Sequence, residues 1–236
     1  MRQIFPDMPR NVRTRLSGDM GRQMGQTLFE IYHCAEFQSF QNGFRASGPG
    51  LDALHKARAE GKGAIIVSGH FGQWEAVRAV LKARGMETGA VYRPQKNRHY
   101  QRRLLAGIEA GGAPILPTGQ GGTRAMVRHV RQGGFVAILL DEKATDGVEL
   151  PFLGKPALTS LAAAQLALKY DLPMVPAFGT RVGDNVDFDV EFEEPIAHSD
   201  AVTMTQKFND ILSARILKHP DQWYWMLRRW KGAGKS

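Results

Sequence analysis

The sequence predicts an α/β fold, a single domain in which a mixed sheet is flanked by helices. Two observations carry that reading. From Gly61 onward, short apolar runs rich in β-branched residues alternate with longer amphipathic stretches, the pattern of strands and covering helices. Glycines mark most of the changeovers: Gly61-Lys62-Gly63, Gly85, Gly111-Gly112 and Gly133-Gly134. At 236 residues and 43% hydrophobic, the chain is long enough to bury a substantial core in one unit.

Taken in order, residues 1–60 read as a helical N-terminal part, with Leu28, Ile31, Tyr32 and Phe37 among its buried positions. Residues 61–231 form the α/β core. Strands are expected at Ala64–Ser68, Thr88–Tyr92, Pro114–Leu116, Phe135–Asp141, Met174–Arg181 and Asp187–Phe192. Helices are expected at Phe71–Arg84, Arg98–Ala110, Gly122–Arg131, Thr159–Tyr170 and Thr203–Lys218. The late, alternating strand calls for at least one antiparallel pairing. No repeat or linker marks a second domain.

Charge narrows the function classes. A net +8 points to an acidic partner: nucleic acid, an anionic membrane surface, an acidic protein or a phosphorylated substrate. The one cysteine, Cys34, excludes an internal disulfide and fits a reducing compartment. Seven scattered histidines without cysteine partners give no zinc-like set, so neither metal nor cofactor is expected. No run approaches the ~18 apolar residues of a membrane span, and Met1–Asp7 has no signal-peptide core. Any membrane association is expected to be peripheral.

The segment Ile65-Ile66-Val67-Ser68-Gly69-His70-Phe71-Gly72-Gln73-Trp74-Glu75 carries the chemistry. A buried strand runs into a Ser-Gly turn, the turn presents His70, and a helix bearing Glu75 follows. Positions five apart share no helix face, so the two side chains meet only if His70 sits at the helix start or before it. Glu75 would then hold one imidazole nitrogen and leave the other free as a base. Open α/β sheets place ligands at the carboxyl ends of their strands. Tyr92-Arg93-Pro94, with Asn97 close behind, follows a second strand, and Asp141 ends a third. Arg93 offers a planar fork suited to phosphate or carboxylate.

Other segments leave alternatives open. The run Val148–Ala157, including Phe152, is apolar and either lines a greasy pocket or packs as core. Gly119-Gln120-Gly121-Gly122-Thr123 lacks the Gly-Lys-Ser/Thr ending of a phosphate loop and reads as a turn. No Gly-x-Ser-x-Gly is present, which argues against a nucleophile-elbow hydrolase. In the C-terminal stretch, Trp223, Tyr224, Trp225 and Trp230 lie among Arg228, Arg229 and Lys231. Such a stretch stacks on bases, sits at a membrane–water interface, or fills the core.

Together these blocks resemble the bacterial lipid A biosynthesis (lauroyl/myristoyl-type) acyltransferases, within the wider lysophospholipid acyltransferases. The resemblance rests on His70-x4-Glu75, Tyr92-Arg93-Pro94 with Asn97, Asp141, Pro151-Phe152-Leu153-Gly154 with Ala157 and Thr159, and Pro220–Trp225 leading to Arg228-Arg229-Trp230-Lys231. It implies a glycerolipid-acyltransferase-like fold and transfer of an acyl chain from a thioester, usually on acyl carrier protein, to a hydroxyl of a glycolipid precursor for lipopolysaccharide. The setting it implies is the cytoplasmic face of the bacterial inner membrane. It makes His70 the general base and Glu75 its partner. Arg93, Asn97, Asp141, Phe152, Arg228 and Arg229 become substrate-site residues. Members usually begin with an apolar anchoring helix, which this sequence does not show at its start. Glu142 and Leu227 stand where the family usually has glutamine and histidine.

The expected partners are thus acidic acyl carrier protein, a glycolipid acceptor and an anionic membrane surface, with no nucleic acid. Acylation of another lysolipid or of a phosphoinositide mannoside would use the same core. The rival from another class is a non-catalytic basic module on membrane or nucleic acid.

Overall fold

A computed structural model of the chain describes residues 1–232. Its centre is a seven-stranded sheet: β1 (Phe44–Ser47), β2 (Ala64–Ser68), β3 (Thr88–Tyr92), β4 (Ile115–Pro117), β5 (Phe135–Leu139), β8 (Met174–Arg181) and β9 (Phe188–Phe192). The spatial order is β1-β9-β8-β2-β5-β3-β4. All neighbours are parallel except β8 and β9, the antiparallel pairing that the late alternating strand calls for. Because β2 is central, its five residues are all buried, which is why Ala64-Ile65-Ile66-Val67 has no polar position.

Successive β2 side chains feed two cores. Ile65 and Val67 join the cluster that holds Phe178, Phe208 and the C-terminal tryptophans, whereas Ala64 and Ile66 join one with Leu54, Val77 and Phe192. Over the second face lie α1 (Arg10–Tyr32), α2 (Cys34–Ser39), α3 (Pro49–Ala59), α4 (Trp74–Ala83) and α5 (Arg98–Gly111). The remaining helices are α6 (Gln120–Arg131), α7 (Ala162–Tyr170) and α8 (Ala201–Lys218).

Four expectations change. The N-terminal part is not wholly helical, because β1 pairs with β9 at the sheet edge. The apolar run after Asp141 is a hairpin, β6 (Val148–Phe152) with β7 (Lys155–Thr159), turned by Leu153 at φ +49° and Gly154 at φ +71°. Two left-handed positions suit a tight hairpin turn, but Leu-Gly lacks the usual Asn-Gly signal. With 155–159 taken by β7, α7 starts at Ala162. Finally, α4 starts at Trp74, not Phe71, since Phe71 and Gly72 form bridges to Trp223 and Gly179. Gly72 has φ +54°, and a Cβ there would lie 2.1 Å from the Gly179 carbonyl oxygen.

The C-terminal aromatics resolve as core. Trp223 is fully buried and Trp225 nearly so, and their ring centroids are 4.8 Å apart. Trp230 is half-buried against the Phe152 and Trp223 rings. None of the three is free to insert into a bilayer.

Helix α5 meets α1 at Gly107, where a Cβ would lie 2.0 Å from the Ile31 carbonyl oxygen. Gly107→Ala is therefore expected to cost about 1–3 kcal/mol by forcing the helices apart, as overpacking does. Denaturant unfolding, read as a shift in midpoint at constant slope, checks this.

Candidate active site

Strands β2 and β5 run side by side, in register from Ala64 opposite Phe135 to Ser68 opposite Leu139. Both end at the same edge, so the residues just beyond them, His70 and Asp141, emerge together. His70 Nδ1 lies 2.8 Å from Asp141 Oδ1, and the His70 backbone N–H donates to Asp141 Oδ2 at 2.7 Å. Trp223 Nε1–H donates to the same Oδ2 at 2.8 Å. Gly69 permits the approach: a Cβ there would lie 3.0 Å from Oδ2 and 2.7 Å from a Leu212 methyl. The Tyr224 N–H donates to the His70 carbonyl, so the C-terminal segment clamps the loop from its other side.

An ionised carboxylate only accepts, so the Nδ1 contact puts the imidazole proton on Nδ1 and leaves the Nε2 lone pair available. Nε2 has no hydrogen-bond partner among the described residues. The imidazole is one-fifth exposed, whereas the Asp141 side chain is wholly buried. Burial alone would lower the His70 pKa, but the charge and hydrogen bond of Asp141, helped by Glu142, outweigh it and leave the value raised above 6.5. Burial would raise the Asp141 pKa, but the charge of His70 and the three donors leave it below 3.8.

These shifts set opposite pH windows for stability. The raised value of His70 contributes stability that is complete below pH 6.5 and lost as pH rises through the folded value. The lowered value of Asp141 contributes stability present above pH 3.8 and lost as pH falls through its folded value.

Glu75 is not the imidazole's partner. In the first turn of α4, its carboxylate accepts from Arg78 Nη1 at 2.6 Å, both side chains being nearly fully buried. Arg78 also donates to the carbonyls of Thr88, Ile108 and Gly112, two of them at the C-terminal end of α5 where helical carbonyls lack partners. A Cβ on Gly111 would lie 2.6 Å from Glu75 Oε2, so a glycine admits the pair. His70 precedes the helix by four residues, which leaves the facing carboxylate to come from β5.

His70 opens onto a cavity of about 370 Å³. Its walls are two apolar stripes, Met24, Leu28 and Ile31 on α1 and Tyr100, Leu104 and Ile108 on α5, together with Trp74 and Val77 of α4. Ile66 and Ser68 of β2 and Ala137, Ile138 and Leu139 of β5 border it, as do Glu75 and Arg78. Such a volume, mostly apolar with a few polar groups converging at one end, suits a hydrocarbon tail with a reactive head. The three- and four-residue spacing of the stripes was present in the sequence; what it did not reveal is that they face each other.

The other candidate residues divide. Arg93 stands at the cavity mouth, largely exposed, its Nη2 2.6 Å from Glu142. Leu227 lines the cavity. Asn97 caps α5 by accepting from the His99 and Tyr100 N–H groups. Phe152 is core, against the Trp223 and Trp230 rings. Arg228 is exposed. Arg229 is fully buried, donates to the Leu158 carbonyl and Thr159 Oγ1, lies over the Phe152 ring, and has its pKa lowered to about 10 by burial. The carboxamide of Asn97, the Phe152 ring and the Arg229 guanidinium are thus engaged by the fold, outside the cavity. No cluster of metal-ligating side chains occurs among the described residues.

The chain is similar to a phosphatidylinositol mannoside acyltransferase of Mycobacterium tuberculosis, 28% identical over 187 residues, covering 77% of this chain and 58% of that protein. It therefore spans less than two thirds of that relative's length. A lipid A biosynthesis acyltransferase of Haemophilus influenzae is 24% identical over 234 residues, covering 97% of this chain and 72% of that protein. The model of the bacterial lipid A biosynthesis acyltransferase family matches residues 1–232. The chain belongs to the bacterial lipid A biosynthesis acyltransferase family.

Proposed function

We propose that this chain transfers a fatty acyl group from an acyl thioester to a hydroxyl of a glycolipid, with His70 as general base and Asp141 as the carboxylate that orients it. The observation that carries the reading is the Asp141-held imidazole, its Nε2 unpaired, at the mouth of an apolar cavity. The acceptor oxygen attacks the thioester carbonyl while Nε2 takes its proton. The C–S bond then breaks, and the leaving thiolate receives that proton. Asp141 keeps Nδ1 protonated and stabilises the imidazolium, as the carboxylate does in a serine-protease triad.

The acceptor class follows the relatives' names: a lipid A precursor, or a mannosylated phosphoinositide. Acyl carrier protein, an acidic partner, fits a net charge of +8 and the exposed Lys96, Arg98, Arg102 and Arg103 beside the mouth. Thioester consumption with acyl carrier protein, measured with and without each lipid, tests the reading. Acceptor-dependent release of thiol supports it, and release indifferent to every lipid would remove it.

A base must be neutral to act. With the His70 value raised by Asp141, the acid limb of kcat/KM is expected above pH 6.5, and the rate should rise with pH through it. Asp141→Asn removes the charge and should move the limb to lower pH. A limb that stays in place in this variant would mean that another group titrates.

We also place the protein at the cytoplasmic face of an inner membrane, held peripherally. No helix among the described residues is long and apolar enough to cross. Attraction of its cations to anionic headgroups contributes on the order of 1 kcal/mol per well-placed Lys or Arg. Co-sedimentation with anionic vesicles should weaken as salt rises, and neutral vesicles should bind poorly. Because the tryptophans are in the core, Phe29 and Phe40, both more than half exposed, are the aromatics that should respond to vesicles.

A further inference from the structure

Burial along β5 changes part of the way up the strand. Phe135 and Val136 are buried, whereas Ala137, Ile138 and Leu139 are only half-buried. Yet β5 lies between β2 and β3, inside the sheet, where parallel strands are normally covered on both faces. Protein interiors leave few voids larger than a water molecule. An uncovered alanine on an inner strand therefore marks space kept for an occupant, and Ala137 borders the cavity onto which His70 opens.

The strand registers give that space a depth. Ala137 is partnered by Ile66 on β2 and by Ala90 on β3, and all three line the cavity. One row nearer the mouth, Ser68 is partnered by Leu139. One row deeper stand Ala64, Phe135 and Thr88, all buried, and none of them lines it. Residues two apart on a strand share a face, so Phe135 fills the level below Ala137 and the space ends there. From His70 back to the row of Ile66 is roughly 13 Å at the rise of a strand. The helix side agrees, because the lining residues of α5 run from Tyr100 to Ile108, about 12 Å at the rise of a helix. An extended chain advances about 1.2 Å per bond, so a carbonyl at His70 brings the methyl end over Ala137 at about ten to twelve carbons.

We propose that Ala137 sets the length of the acyl chain this protein accepts: its small side chain admits the last carbons, and the row of Phe135 stops them. The proposal rests on the acyl-transfer reading of the cavity.

The test is calorimetric binding of the saturated fatty acids from octanoate to tetradecanoate to the full chain, to Ala137→Val and to Ala137→Leu, repeated as turnover of their acyl carrier protein thioesters. In the parent, affinity should rise about fourfold per added carbon, the worth of one buried methylene, and level off past dodecanoate. Ala137→Leu should level off sooner, cutting the preference for dodecanoate over decanoate by about tenfold or more, the worth of two methylenes. Ala137→Val should cut it less. Both variants fill existing space, so their melting temperatures should hold or rise. A levelling point that stays in place in Ala137→Leu, an equal loss at every length, or no levelling in the parent overturns the proposal and leaves the acyl cavity standing. So do lowered melting temperatures in both variants, which would mean that the space over Ala137 is already filled. Failure of every acid to bind the parent removes the acyl cavity itself, and the proposal with it.

Discussion

His70→Ala is expected to lower turnover by about 10²–10⁴-fold, the usual contribution of a positioned general base. Asp141→Asn should fall in the same range for a different reason. An amide facing Nδ1 can donate to it, and the proton then moves to Nε2, the nitrogen that must accept from the substrate. Both losses should appear in kcat, because neither group is asked to bind the ground state more weakly. Circular dichroism should show the fold retained in His70→Ala, since Asp141 keeps the His70 N–H and Trp223 Nε1–H donors. Near-parental turnover in His70→Ala on a verified donor and acceptor would remove the assignment.

The second large effect is expected on stability. Glu75→Ala leaves the Arg78 guanidinium buried without its anion, and breaking a buried pair from one side typically costs about 3–5 kcal/mol. Three carbonyl acceptors remain on Arg78, which places this case toward the lower end. The denaturant midpoint should fall accordingly, while Glu75→Gln, which keeps an acceptor oxygen, should fall less. If Glu75→Ala proved as stable as the parent but inactive, Glu75 would belong to the chemistry and the pair would have been misjudged. The contrast between Asp141 and Glu75 separates a carboxylate that holds the His70 imidazole from one that, through Arg78, holds three elements together.

Much of the framework can be read from neighbouring residues. Ala64–Ser68, Thr88–Tyr92 and Met174–Arg181 are strands with the bounds their patterns suggest, because a run of buried β-branched residues closed by glycine or a charge is a local signal. The reversal at β9 follows from the alternation of Phe188, Val190 and Phe192. His70 and Arg93 at one sheet edge are legible for the same reason: each follows a parallel strand.

The sequence by itself thus determined the α/β class, the strand that delivers His70 and the edge at which chemistry would sit. Only the tertiary structure decided which carboxylate meets the imidazole. Asp141 is 71 residues away and reaches it because β5 lies beside β2, a pairing that no local pattern records. Glu75, close in sequence, is turned by its helix toward Arg78, three residues on, where side chains on a helix meet. The same holds for Trp223, whose indole could have faced a membrane, a base or the core. It is fully buried because its N–H completes Asp141 while its ring packs against Phe152 and Trp230, contacts that exist only after the C-terminal segment folds back over the sheet.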